Sequence, residues 1–172
     1  MLSPESLKRI DHEIAKYPPE RKASAVMAAL AVAQDEKGWL STEVMDFVAD
    51  YLGMPPIAVY EIATFYEMFN TRPTGKYKLT LCTNLPCALQ DAAQAAVHLK
   101  EKLGIDFNET TADGMFTLEP AMCLAACDHA PMMQIDLDYF EDLSEEKLDH
   151  ILGDIRAGRT KIDPAAVVRS GA

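Results

Sequence analysis

Residues 76–104 read KYKLTLCTNLPCALQDAAQAAVHLKEKLG. From Lys76 to Cys82 polar and apolar residues alternate, the period of a half-buried strand. From Cys87 to Leu103 the apolar residues shift to helical spacing, and Gly104 supplies the left-handed residue that ends a helix. A strand running into a helix, with a cysteine near each side of the joint, points to an α/β unit in the second half of the chain. Pro86 suits a helix start, where a missing N–H costs nothing.

Downstream, Asp113-Gly114 marks a turn. Phe116–Ala121 and Pro131–Asp136 read as strands, and Leu137–Phe140 as a short further strand after a tight turn. Ser144 caps a last helix that Gly153 or Gly158 ends. The order strand, helix, strand, strand, strand, helix makes one crossover and then hairpins. That order gives a small mixed sheet with helices packed on it, an outline compatible with a thioredoxin-like domain.

Upstream the reading is all helical. Ser3 caps a helix with Pro4 at its first position and with Leu7, Ile10, Ile14 and Tyr17 on one face; Pro18-Pro19 stops it. A second helix is expected over Glu20–Lys37, with Ala23, Met27, Leu30 and Gln34 in line and Gly38 after its end. Ser41 caps a third, with Val44, Phe47, Val48, Tyr51 and Leu52 inward and Gly53 closing it. Pro55-Pro56 open a fourth, with Val59, Ile62, Ala63 and Tyr66 as its stripe. The turn-rich Thr71–Gly75 separates the halves. The expected fold is therefore α+β: an N-terminal four-helix bundle over 1–72, a thioredoxin-like α/β domain with a small mixed sheet over 73–158, and a C-terminal tail over 159–172.

The chain has 172 residues and a formal net charge of −11. That balance argues against nucleic acid, whose binding is driven by Lys and Arg displacing counterions, and against anionic membrane surfaces. Arg156, Arg159, Lys161 and Arg169 crowd the last stretch behind acidic residues from Asp136 to Glu146, and a solvated, frayed end is expected there. Met1–Asp11 lacks the apolar core of a secretory signal, and no apolar run is long enough to span a bilayer. A soluble protein in a reducing compartment is expected, where cysteines serve as metal ligands or catalytic groups more often than as disulfides.

All four cysteines lie in the second half, as Cys82-x4-Cys87 and Cys123-x3-Cys127, with 35 residues between the pairs. Four chemistries compete. A structural zinc knuckle usually takes C-x2-C. A thioredoxin-type redox pair needs C-x-x-C. Two disulfides conflict with the compartment. A [2Fe–2S] cluster takes two thiolates on each iron and tolerates two loosely spaced pairs, which fits best. If Cys87 opens a helix, the N–H groups of Ala88–Gln90 are expected to point at sulfur. His129 beside Cys127 suggests a Rieske centre only if a second histidine joins it; His12, His98 and His150 fall in helices elsewhere. There is no G-x-G-x-x-G and no P-loop motif, so the chain itself shows no NADH, flavin or nucleotide site, and no catalytic residue set stands out.

Several motifs together carry a resemblance: Glu61-Ile62-Ala63-Thr64-Phe65-Tyr66-Glu67-Met68-Phe69-Asn70, Pro73-x-Gly75-Lys76-Tyr77, Cys82-Thr83-Asn84-x-x-Cys87, Phe116-Thr117-Leu118-Glu119, and Cys123-Leu124-x-x-Cys127-Asp128-x-Ala130-Pro131-Met132. Over nearly its whole length the chain resembles the E subunits of bacterial NADH-quinone oxidoreductases, the thioredoxin-like [2Fe–2S] subunits of respiratory complex I. The resemblance implies one [2Fe–2S] cluster on Cys82, Cys87, Cys123 and Cys127. It also implies a role in electron transfer beside the FMN- and NADH-binding F subunit of the same complex, and a place on the cytoplasmic side of the inner membrane without insertion into it. The helical bundle would help dock that partner. The aromatic run Phe65-Tyr66-x-Met68-Phe69 would be mostly core, with one edge at the interface between subunits. Related subunits serve NAD-linked formate dehydrogenases and NAD-reducing or bifurcating hydrogenases, an alternative setting for the same chemistry. A zinc-stabilised interaction module is the alternative of another class. Two positions depart from the family: it usually has glycine where this chain has Ala125, and a small or polar residue where it has Pro86.

Overall fold

The computed structural model describes residues 1–136 and 138–158. Leu137, the expected first residue of the last strand, and the expected tail 159–172 lie outside the described residues. The chain divides into two compact units, one spanning Met1–Pro73 and the other beginning at Thr74.

In the first unit the expected caps form as read. Helix α1 (Pro4–Ile14) starts at Ser3, whose side chain accepts from the Ser6 N–H. Helix α3 (Thr42–Leu52) starts at Ser41 in the same way and ends on left-handed Gly53. Helix α4 (Pro56–Phe65) begins after Pro55. The second helix departs from expectation. Pro19–Ala25 is a 3-10 stretch, and Arg21 leaves helical dihedrals at φ −117, ψ 21. The α-helix proper, α2, runs only over Val26–Lys37, closed by Gly38 at φ 80. The break rotates the apolar face onto Val26, Ala29, Leu30 and Ala33, and Ala23 is left in solvent. Gln34 is a clamp rather than a core residue: its amide accepts from the Asn70 N–H at 2.6 Å and donates to the Met68 carbonyl at 3.0 Å.

Tyr17 and Tyr66 each fall just past a helix end and are exposed, so neither extends the stripe expected of it. The aromatic run is likewise not mostly core. Phe69 is buried, whereas Phe65 is 77% exposed and Tyr66 and Met68 are also open to solvent. The chain leaves helical geometry at Tyr66 (φ −96, ψ 117), which breaks the spacing that would have carried those side chains inward.

In the second unit the strand–helix joint is present but the helix is interrupted. Strand β1 (Tyr77–Cys82) leads into the single-turn helix α5 (Leu85–Ala88). Left-handed Asp91 (φ 63) then breaks the chain before α6 (Ala92–Leu103), which ends on Gly104. The remaining elements are β2 (Glu109–Thr110), β3 (Phe116–Ala121), β4 (Met133–Ile135), β5 (Asp138–Phe140) and α7 (Glu145–Arg156). β2 is too short and too exposed to give a periodic signal. Among the described residues the sheet has five strands in the order β2-β3-β1-β4-β5; β1 and β3 are parallel and the other pairs antiparallel. Its core gathers Leu79 and Leu81 of β1, Phe116 and Leu118 of β3, Leu99 of α6, and Leu148 and Leu152 of α7. The fold class is the α+β arrangement expected.

Candidate metal centre

Parallel pairing of β1 with β3 makes both strands end on the same edge of the sheet. Cys82 stands opposite Ala121 in that register, so Cys123 lies only two residues past its partner strand. Cross-links fix the edge. The Thr83 N–H and hydroxyl both donate to the Ala121 carbonyl at 2.9 Å, and the Asn84 amide donates to the Met122 carbonyl at 2.7 Å. Asn84 also caps α5, accepting from the Leu85 N–H at 2.8 Å. That turn directs Cys87 back against Cys82, where both are buried with Ala92 and Met132. Cys123 and Cys127 sit in the exposed loop after β3, with Cys127 opening a 3-10 turn (Cys127–His129). The Ala130–Pro131 bond at the end of this loop is cis.

All four cysteines are free thiols, and sequence reasoning brings together the right ones. Cys82 accepts hydrogen bonds from the thiols of Cys87 and Cys123, and Cys127 is hydrogen-bonded to Cys123. The two sequence pairs thus form one continuous chain of sulfur contacts. Among the described residues no three His, Cys, Asp or Glu side chains form a set around a single ion. A two-iron cluster asks instead for two thiolate pairs side by side.

The expected donors to sulfur are not the ones found. The N–H groups of Ala88, Leu89 and Gln90 are spent on the carbonyls of Asn84, Leu85 and Cys87. A one-turn helix has no spare inner N–H to offer. Donation comes instead from Asn84 and Leu124 to Cys82, from Met132 to Cys87, and from Ala125 to Cys123 at 3.3 Å. Three of these four donors belong to the second cysteine loop and the segment behind it. The one sequence signal for them is the left-handed position at Ala125, φ 61, where relatives commonly carry glycine.

Electrostatics follow this network. Burial pushes the Cys82 thiol up, but the Asn84 and Leu124 N–H groups and the neighbouring thiols outweigh it, leaving the group below the ordinary cysteine value. Burial, then the contact with Cys82, raises Cys87 to about 11. Burial and the adjoining Cys123 raise Cys127. His129 turns toward carboxylates, 3.6 Å from Asp128 and 3.5 Å from Asp142, while His98 joins Asp149 at 2.8 Å between α6 and α7. His12 lies in α1 and His150 in α7.

The family model for thioredoxin-like [2Fe–2S] ferredoxins matches residues 10–156. The chain belongs to the thioredoxin-like [2Fe–2S] ferredoxin family. Among its relatives in that family is the E subunit of NADH-quinone oxidoreductase from Rickettsia felis, 45% identical over 140 residues that cover 81% of this chain and 84% of the relative. The second E subunit of the Rhizobium meliloti enzyme is 43% identical over 159 residues, covering 91% of this chain and 94% of that one. A solved NAD+-reducing [NiFe]-hydrogenase in its H2-reduced state shares the fold, with a TM-score of 0.65 at 22% identity over 74% of this chain. This ferredoxin-family chain corresponds to only 22% of that hydrogenase chain. Among its described residues no helix is long and apolar enough to cross a membrane.

Proposed function

We propose that this chain is an electron-transfer component of an NADH:quinone oxidoreductase. It holds one [2Fe–2S] cluster on Cys82, Cys87, Cys123 and Cys127, beside the FMN- and NADH-binding F subunit of the same complex. The observation that carries the reading is the sulfur network itself: two pairs distant in sequence reach hydrogen-bonding contact at one edge of a parallel strand pair. The donor set fits the group. Free thiols are what iron takes in such clusters. Bound there, the cluster supplies reversible one-electron chemistry at a potential set by charge, hydrogen bonding and exposure.

The chain's own residues do the rest. The N–H groups of Asn84, Leu124, Ala125 and Met132 stabilise negative charge on sulfur, which thiolates bring and an added electron increases. Burial of Cys82 and Cys87 excludes water from one side, and exposure of Cys123 and Cys127 leaves the other side open toward an electron partner. No group of this chain is assigned to NADH or flavin; the F subunit supplies both. In the first unit, Ile57, Phe65, Tyr66 and Met68 offer exposed apolar surface suited to docking that partner. With its partners the chain is placed on the cytoplasmic side of the inner membrane, held there through the complex. The 43–45% identity to NADH-quinone oxidoreductase subunits favours this assembly over a hydrogenase or formate dehydrogenase, since the hydrogenase likeness is one of fold.

Anaerobically purified protein tests the reading. Iron and acid-labile sulfide in equal amounts, visible charge-transfer absorption and an EPR signal on reduction are expected. A colourless protein that binds zinc, and takes up neither iron nor sulfide on anaerobic reconstitution, refutes it. The partner that copurifies, and its flavin, identify the complex.

A further inference from the structure

The two cysteine pairs differ in access. Cys82 and Cys87 are each 1% exposed, closed in by Ala92 and Met132, whereas Cys123 and Cys127 lie open on the loop after β3. The exposed thiols are in hydrogen-bonding contact with one another, and left-handed Ala125 between them folds the loop back on itself. Disulfide geometry needs neighbouring Cβ atoms and a path for the attacking reagent; only the exposed pair meets both conditions. We infer that in the cluster-free chain Cys123 and Cys127 close reversibly into a disulfide that bars loading until it is reduced. This inference rests on the assignment of these thiols as cluster ligands.

The oxidant is a low-molecular-weight disulfide such as oxidised glutathione. The Cys123 thiolate attacks one of its sulfurs, the small S–S bond breaks, a mixed disulfide forms and one small thiol leaves. Cys127 then attacks the Cys123 sulfur, gives its proton to water and expels the second small thiol. Two protein thiols are oxidised and one small disulfide is reduced to two thiols, so electrons and protons balance. A disulfide sulfur cannot serve as a thiolate ligand, so the oxidised chain keeps only the buried pair. Reduction restores all four.

The test uses the full chain without cluster, incubated anaerobically with oxidised glutathione, alkylated with N-ethylmaleimide and mapped by mass spectrometry. A Cys123–Cys127 disulfide is expected, with Cys82 and Cys87 alkylated only after unfolding. Iron and sulfide added next should give no cluster absorption until a phosphine reductant is supplied. In Cys127→Ser the resolving step is lost, and a stable glutathione adduct on Cys123 is expected. Free, alkylated Cys123 and Cys127 after the incubation, a disulfide that engages Cys82 or Cys87, or no adduct in Cys127→Ser each overturns the inference. If the disulfide fails to form but the reduced chain takes up iron and sulfide, the cluster assignment stands alone. If the disulfide forms but no reduced sample ever binds iron, the cluster assignment is what fails.

Discussion

The backbone N–H of Ala125 donates to the Sγ of Cys123 at 3.3 Å, and it does so from a left-handed residue at φ 61. An L-residue with a Cβ is strained there and glycine is not. Ala125→Gly is therefore expected to stabilise the cluster-free chain by roughly 1 kcal/mol, the net of relieved strain and added unfolded-state entropy. For a chain of this size the melting temperature should rise by about 2–4 °C. Ala125→Pro removes the N–H and forbids the dihedral, so it should both lower the melt and shift the cluster's EPR signal. A lower melting temperature for the glycine variant would show that the loop is unstrained.

Gly75 is constrained from the other direction. A Cβ placed on it would stand 2.8 Å from the carbonyl carbon of Phe116 and 2.9 Å from its nitrogen. Its N–H also donates to the Thr117 hydroxyl at 2.6 Å. The obstacle is backbone of β3, so relief requires displacing a paired strand. Gly75→Ala should cost about 1–3 kcal/mol, the range of forced overpacking. Gly153→Ala is the counter-case: nothing lies within 4 Å of the added methyl, and α7 should gain roughly 0.5–1 kcal/mol. Chemical denaturation of the two variants should move in opposite directions.

These two loops also show where sequence reading succeeds and where it stops. Ser3, Ser41 and Ser144 were legible as caps because capping is local, and each accepts the N–H three residues on. β1 and β3 were legible because a sheet with one face on a core writes its period into the residues. The 3-10 start at Pro19 and the break at Asp91 were not, since each depends on how one residue's dihedrals answer tertiary packing. Cysteine identity and pairing were visible in the spacing of Cys82, Cys87, Cys123 and Cys127. The N–H groups that serve their sulfurs were not, because Leu124, Ala125 and Met132 donate through the backbone and side-chain identity says nothing of it.

Asp136 occupies the β4–β5 connection, also left-handed at φ 53. Its Oδ1 accepts from the Lys78 N–H at 3.2 Å, while Oδ2 is buried without a partner. Burial raises its pKa above the usual carboxylate value, against the opposing effect of Lys78. The folded state thus holds this proton more tightly than the unfolded state does. Its contribution is present below the unfolded carboxyl range near pH 4 and lost as pH rises through the folded value. Asp136→Asn keeps the acceptor, replaces the orphaned oxygen with a donor and tolerates the dihedral. Its stability relative to the parent should grow from acid to neutral pH in urea titrations; a gain independent of pH would show that the carboxyl is not charged when buried.

Glu36 carries the opposite sign. Its carboxylate is held by Lys37, by Ser6 and by the Ser3 N–H at the start of α1, the last at 2.8 Å, and its pKa falls from 4.5 to about 2. Here the unfolded state binds the proton more tightly, so stabilisation is present above pH 4.5 and lost as pH falls toward 2. Glu36→Gln should therefore be less stable than the parent at neutral pH, with the difference closing in acid. The anion also suits the positive end of α1, so added salt should narrow the gap at pH 7. A gap of constant size from pH 7 to pH 2.5 would place the effect in packing rather than charge.

Cys87 separates the ligand role from the packing role most cleanly. It is buried against Cys82, Ala92 and Met132, it receives the Met132 N–H, and its thiol lies at about 11. That value is costly for an uncomplexed thiol to shed its proton at neutral pH, and metal coordination is the circumstance that reverses it. Cys87→Ala removes one small buried group, so the fold should survive with a loss of about 1 kcal/mol. The native EPR signal and visible absorption should nonetheless disappear or be replaced by those of an altered centre. Cys87→Ser, which keeps the volume, should behave the same way if ligation is the cause. Retention of the unaltered spectrum in both variants would remove Cys87 from the ligand set and leave it a core residue.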